Sequence, residues 1–280
     1  LPLGAIVEAV ITCRNVEASV AFHTGAFDLD VLEWNGPDAL LGVRGVETGR
    51  IRLTPAPPDV AEAPEPRVWD IGPRLLGMYS RDLGRTTQMI DAAGGRSLPP
   101  VTYPYGSASL TECVALGSDG VWWTLPHAAA GHRPSPALEG DPERLHGELH
   151  TAVVVPADHD QALRFFVEGG GLNILFAGEM SGEPFERLIG MPPGAGLRLT
   201  FLVSADHAPA RLEIMSFTGV DAVDLSDRPL GLRRVVFAVE DPASTIAALE
   251  ACGGVRLGER LVRGPGGLEV ELREPAGAAS

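Results

Sequence analysis

Apolar residues in this chain come in short runs of strand length, bounded by Gly, Pro or Asp, with stretches of helical spacing between them. Two such runs, "LLGMYSR" (75–81) and "VVFAVE" (235–240), each lead into a segment that opens on Asp and closes on Gly-Gly: "DLGRTTQMIDAAGG" (82–95) and "DPASTIAALEACGG" (241–254). Asp82 and Asp241 read as N-caps and the glycine pairs as C-caps, so both segments are expected helices. Further on, "GSDGVWWTL" (117–125) matches "GPGGLEVEL" (264–272), a tight Gly turn feeding a strand.

The remaining quarters repeat each other in the same way. "NVEASVAFHTGAFDLDVL" (15–32) and "DHDQALRFFVEGGGLNIL" (158–175) share Phe22/Phe165, Leu29/Leu172 and Leu32/Leu175 at one constant offset. A strand precedes each, "IVEAVITC" and "HTAVVV", and "RIRLT" and "ARLEIMS" end the two quarters. The chain therefore reads as four βαβββ modules beginning near residues 5, 71, 148 and 231, an α+β architecture. "PAPPDVAEAPEP" (55–66) and "HAAAGHRPSPALEGDPERLHG" (127–147) have the composition of surface connectors. They divide the chain into an N-terminal pair of modules (1–130), a linker (131–147) and a C-terminal pair (148–280).

Composition narrows the partners. With 280 residues, 45% of them apolar, the chain can bury a sizeable core. A net charge of −15 without a compensating Lys/Arg cluster argues against nucleic acid and anionic membranes. The three cysteines, Cys13, Cys113 and Cys252, lack metal-site spacing and fit a reducing compartment. No apolar run approaches the roughly 20 residues of a membrane span, and "LPLGAIVEAV" lacks the charged start of a signal peptide. The expectation is a cytoplasmic monomer or homodimer.

Four βαβββ modules, with Asp opening the helix and a Gly turn followed by "EL" closing a module, resemble the vicinal oxygen chelate superfamily. That group holds glyoxalase, methylmalonyl-CoA epimerase, extradiol dioxygenases, fosfomycin resistance enzymes and bleomycin-binding proteins. The resemblance covers nearly the whole chain and is strongest in "FAGEMSGEPFERLIGMPPGAGLRLTFL" followed by "RLEIMSF", which is similar to the glyoxalase and epimerase-like branch. It implies a cupped eight-stranded sheet from each pair of modules, with the site inside the cup.

The resemblance also implies where ligands stand: His, Gln or Glu on a module's first strand and a carboxylate on its last. Both strands line the concave face, and side chains of period two can meet there. In the C-terminal pair these positions hold His150, Glu213, Glu271 and Arg234. One imidazole and two carboxylates would suit a divalent ion such as Ni, Co, Mn, Zn or Fe, and Glu213 or Glu271 could act as the base of a glyoxalase-like lyase or isomerase. A single His disfavours the iron site of an extradiol dioxygenase.

Arg234 leaves two readings open. It either pairs with Glu213 or Glu271 in place of the metal's charge, or clamps an anionic substrate group. By constant offset Glu8 falls opposite Thr151, so placing His150 in register requires one extra residue in the turn after its strand. The N-terminal pair carries Glu8, Arg52, Leu75 and Thr124, a set unfit for a metal, with a Glu8–Arg52 ion pair expected and a second pocket of Tyr103, Tyr105, Trp122 and Trp123 possible. The segment 181–196 reads as a short helix and loop over the mouth, with Phe185, Leu188 and Met191 at the entrance. The other six histidines read as solvated. The competing function is metal-free binding of a small molecule, as in bleomycin-resistance proteins.

Overall fold

The computed structural model describes residues 2–60, 64–105, 108–129 and 132–275, so both connectors lie partly outside the described residues. The first module contains β1 (Ile6–Cys13), α1 (Val16–Phe27), β2 (Asp30–Asn35), β3 (Asp38–Gly42) and β4 (Arg50–Pro55). The second contains β5 (Gly72–Ser80), α2 (Leu83–Ala92), β6 (Arg96–Ser97), β7 (Val101–Tyr105), β8 (Ala108–Leu116) and β9 (Trp122–Pro126). A short helix, α3 (Pro136–Gly140), lies in the expected linker, and β10 (His146–Val155) starts before it ends. The third module continues with α4 (His159–Leu163), β11 (Asn173–Ser181), α5 (Glu183–Ile189), β12 (Gly196–Val203) and β13 (Arg211–Thr218). The fourth consists of β14 (Gly231–Ala238), α6 (Pro242–Ala251), β15 (Val255–Gly258), β16 (Leu261–Arg263) and β17 (Glu269–Arg273).

The repeated punctuation acts as expected. The Asp82 carboxylate accepts from the Arg85 amide and that of Asp241 from the Ser244 amide, each filling an orphan donor at a helix start. At the far ends Gly94 and Gly253 take φ of 93° and 97°, which a residue with a Cβ rarely adopts.

The sheets correct the pairing of modules that chain order suggests. Among the described residues the eight-stranded sheet runs β15-β16-β17-β14-β1-β4-β3-β2, and the nine-stranded one runs β11-β12-β13-β10-β5-β9-β8-β6 with β7 beside β8. Module one thus shares a sheet with module four, and module two with module three. Each cup closes where two first strands run antiparallel, β1 against β14 and β5 against β10.

The β5/β10 seam depends on its composition. At β5/β10 the facing residues are Leu75, Gly77, Thr151 and Val153. A Cβ on Gly77 would stand 2.3 Å from the Thr151 methyl and 2.7 Å from that of Thr124, so only glycine permits this approach. Modules one and two do meet, but by side-chain packing rather than by strand pairing. Phe27 of α1 packs against Trp123 of β9 at 4.4 Å between ring centres, within one buried cluster that draws on both sheets.

Candidate functional site

The concave face of the nine-stranded sheet encloses a cavity of about 460 Å³. Its position follows from strand alternation. In β13 Arg211, Glu213 and Met215 share one face, opposite Leu199 and Phe201 of β12, while Leu212 and Ile214 point into the core behind. From module two come Leu75, Tyr79, Tyr103, Tyr105, Glu112 and Thr124, and α5 closes over them with Phe185, Leu188 and Ile189. Most of the wall is apolar or aromatic, and the polar groups are few.

Those polar groups form two arrangements. Glu112 is 9% exposed and accepts hydrogen bonds on both carboxylate oxygens, from the Tyr103 and Thr124 hydroxyls. Burial, the largest influence, still pushes its carboxyl above the ordinary value of 4.5. The second arrangement is the ion pair of Arg211 and Glu213, at 2.8 Å, with the guanidinium 4.0 Å above the Phe201 ring. Arg133, His127 and His132 complete the wall.

Glu112 gives a prediction of definite sign. A carboxyl raised above its unfolded value stabilises the fold fully below about pH 4.5, and that contribution is lost as pH rises through the folded value. Glu112→Gln, permanently neutral, should therefore gain stability relative to the parent as pH climbs above 4.5. Urea midpoints measured across this range check it; a constant difference would mean that the carboxyl titrates as a solvated one.

The expected metal ligands do not converge. His150 lies on β10 in the nine-stranded sheet, where the pairing with β5 shifts register between Leu149 and Thr151. The extra residue is thus a bulge at His150 itself, not an insertion in the following turn, and Thr151 and Val153 keep the concave register. The ring of His150 stacks on Tyr79 at 4.1 Å, and neither ring nitrogen has a partner among the described residues. Burial first, then the Arg211 charge, hold its pKa well below the ordinary imidazole value.

Glu271 and Arg234 stand in the other sheet. Arg234 turns inward to Glu271 at 2.7 Å and to Glu269 at 3.0 Å, while Arg273 bridges Glu271 and Glu8. Glu8 in turn takes the expected pair with Arg52 at 2.8 Å. The cup of modules one and four is therefore laced by a charge network, in which Arg234 occupies both the carboxylates it can reach.

A scan against protein-family models and a search of curated proteins find no match. Solved structures do match over nearly the whole chain. Glyoxalase I from Zea mays superposes with a TM-score of 0.67 at 17% identity, covering 96% of this chain and 92% of that one. A Bacillus subtilis protein provisionally assigned as a dioxygenase gives 0.64 at 12% identity, covering 99% and 87%. The chain shares the fold of glyoxalase I.

The positions where the family resemblance expects ligands hold Leu75, Thr124, His150 and Glu213 in the cup of modules two and three, with His150 bulged out of the concave register, and Glu8, Arg52, Arg234 and Glu271 in that of modules one and four. The first set has one carboxylate, already held by Arg211, and an imidazole turned to Tyr79. The second alternates charges of opposite sign. Neither fits a divalent ion, and no three His, Cys, Asp or Glu side chains gather as a metal site among the described residues.

Of the entrance residues, Phe185 and Leu188 line the cavity, whereas Met191 is buried in the cluster behind it. Tyr103 and Tyr105 line it too; Trp122 and Trp123 are buried in the sheet's packing. Three histidines expected in solvent are buried: His23, His146 and His159. His159 meets Ser216 and Thr200 through its two ring nitrogens and is a satisfied core group, whereas His146 meets Thr86 through Nε2 alone. Sequence reading missed Glu112 and Arg211. Their signal was a charge inside an otherwise apolar strand, as in "LTECVAL" and "ARLEIMS".

Proposed function

We propose that this protein binds a small, largely aromatic molecule in the cup of modules two and three, using packing and a few buried polar groups rather than a resident divalent ion. The observation that carries the reading is the cavity of about 460 Å³ walled by Tyr103, Tyr105, Phe176, Phe185 and Phe201. Ligand sites commonly have about 300–1,000 Å³ and the same mixture of apolar wall with convergent polar groups. The neutral fluorescent probe phenylnaphthylamine tests it. Saturable binding by the parent and its loss in Ala108→Trp, which fills the exposed rim with an indole, are expected. An unchanged titration in that variant would place the probe elsewhere.

A second reading, a glyoxalase-like lyase or isomerase, has Glu112 in its favour. A buried carboxyl with raised pKa, in contact with the cavity, is suited to moving a proton next to a carbonyl. Exchange of such a proton on an aryl hydroxyketone in heavy water, followed by NMR, distinguishes the two functions. Exchange that stops in Glu112→Gln supports the enzyme; none in either protein supports binding alone.

A further inference from the structure

We infer that the molecule held in this cup is an aromatic or apolar monoanion, and that Arg133 receives its negative group. This rests on the cup being the binding site.

Arg211 and Glu213 neutralise each other, with the Glu213 side chain only 4% exposed. Glu112 accepts from the hydroxyls of Tyr103 and Thr124, has no cation within ion-pair distance among the described residues, and is pushed by burial toward its neutral form, so it adds no counter-ion to the wall. That leaves Arg133. Its Nε donates to the Pro209 carbonyl, and its Nη2 to those of His207 and Ala208. These bonds fix the guanidinium plane without supplying charge. Nη1 has no hydrogen-bond partner and the guanidinium no carboxylate within ion-pair distance among the described residues. In a chain with 37 acidic and 22 basic residues, a cation on a cavity wall without a carboxylate is conspicuous.

The surroundings agree. Burial and the neighbouring Arg211 both push the Arg133 pKa down, the response of a cation whose counter-ion is missing. Beside it the wall continues through Tyr79, Tyr105, Phe176 and Phe201. One uncompensated guanidinium beside an aromatic slot matches one negative charge on an aromatic body, such as an arylcarboxylate. A dianion would leave charge unbalanced in a desolvated space.

Calorimetry with naphthoate and its neutral counterpart naphthylmethanol tests this in the 280-residue chain. A charge-assisted hydrogen bond predicts that naphthoate binds about tenfold or more tightly than the alcohol. In Arg133→Gln that preference should vanish while the affinity for the alcohol stays within about twofold, which also reports that the variant is folded. Arg133→Lys should retain part of the preference. If the alcohol binds and naphthoate binds no better, or if Arg133→Gln keeps the preference, the inference is overturned and the cup reading stands. If neither naphthalene binds the parent protein, both are overturned.

Discussion

Replacing Arg211 by leucine is expected to cost about 3–5 kcal/mol of folding stability, and replacing Glu213 by leucine as well to restore most of it. The pair is nearly sealed: the side chains are 13% and 4% exposed. Removing the guanidinium strands the Glu213 carboxyl against Phe201, Leu199 and Met215 with no cation to compensate its lost hydration. Removing both converts that wall to hydrocarbon, and buried ion pairs replaced by apolar residues of similar volume often lose little or even gain. Urea midpoints of the parent, Arg211→Leu and Arg211→Leu/Glu213→Leu check the sequence of values. A double variant as unstable as the single one would mean that the pair carries more than mutual neutralisation.

Cutting the chain between residues 130 and 131 and expressing the halves apart is expected to leave neither with a cooperative unfolding transition. Each half would own one side of both sheets. The N-terminal half would expose β1 and β5 as unpaired edges, since their partners β14 and β10 lie in the other half. It would also lose part of the core, where Phe27 and Trp123 share one cluster with Phe165, Phe237 and Ile214. Co-expressed halves should associate and recover the transition seen by circular dichroism. A cooperative N-terminal half on its own would contradict the observed sheet pairing.

Much of the local structure was legible because it is set by neighbours in sequence. Asp82 and Asp241 cap helices because a carboxylate can reach an amide three residues on, whatever the rest of the chain does. The four modules showed in the spacing of Phe22/Phe165 and of the Gly-Gly ends. Even the Glu8–Arg52 pair could be anticipated, since first and last strands of one module lie side by side.

The candidate site was less legible. Placing His150, Glu213 and Glu271 together required modules three and four to share a sheet, and they do not. His150 further depended on a bulge, which changes where one side chain points without leaving a clear mark in alternation. Glu112 is marked in sequence only as a charge inside an apolar strand, and neither its segment nor that of Arg133 says which cavity the side chain faces.

By itself the sequence determined the elements, their fourfold repeat and the fold class, all of which depend on hydrophobic period and capping within a few residues. Only the tertiary structure decided which first strands join, and therefore that Glu112 and Arg211 look into one cavity while Arg234 and Glu271 close another cup. Strand pairing is a contest between edges far apart in the chain, decided by details such as the missing Cβ of Gly77 beside Thr151. A site assembled across that seam inherits its outcome.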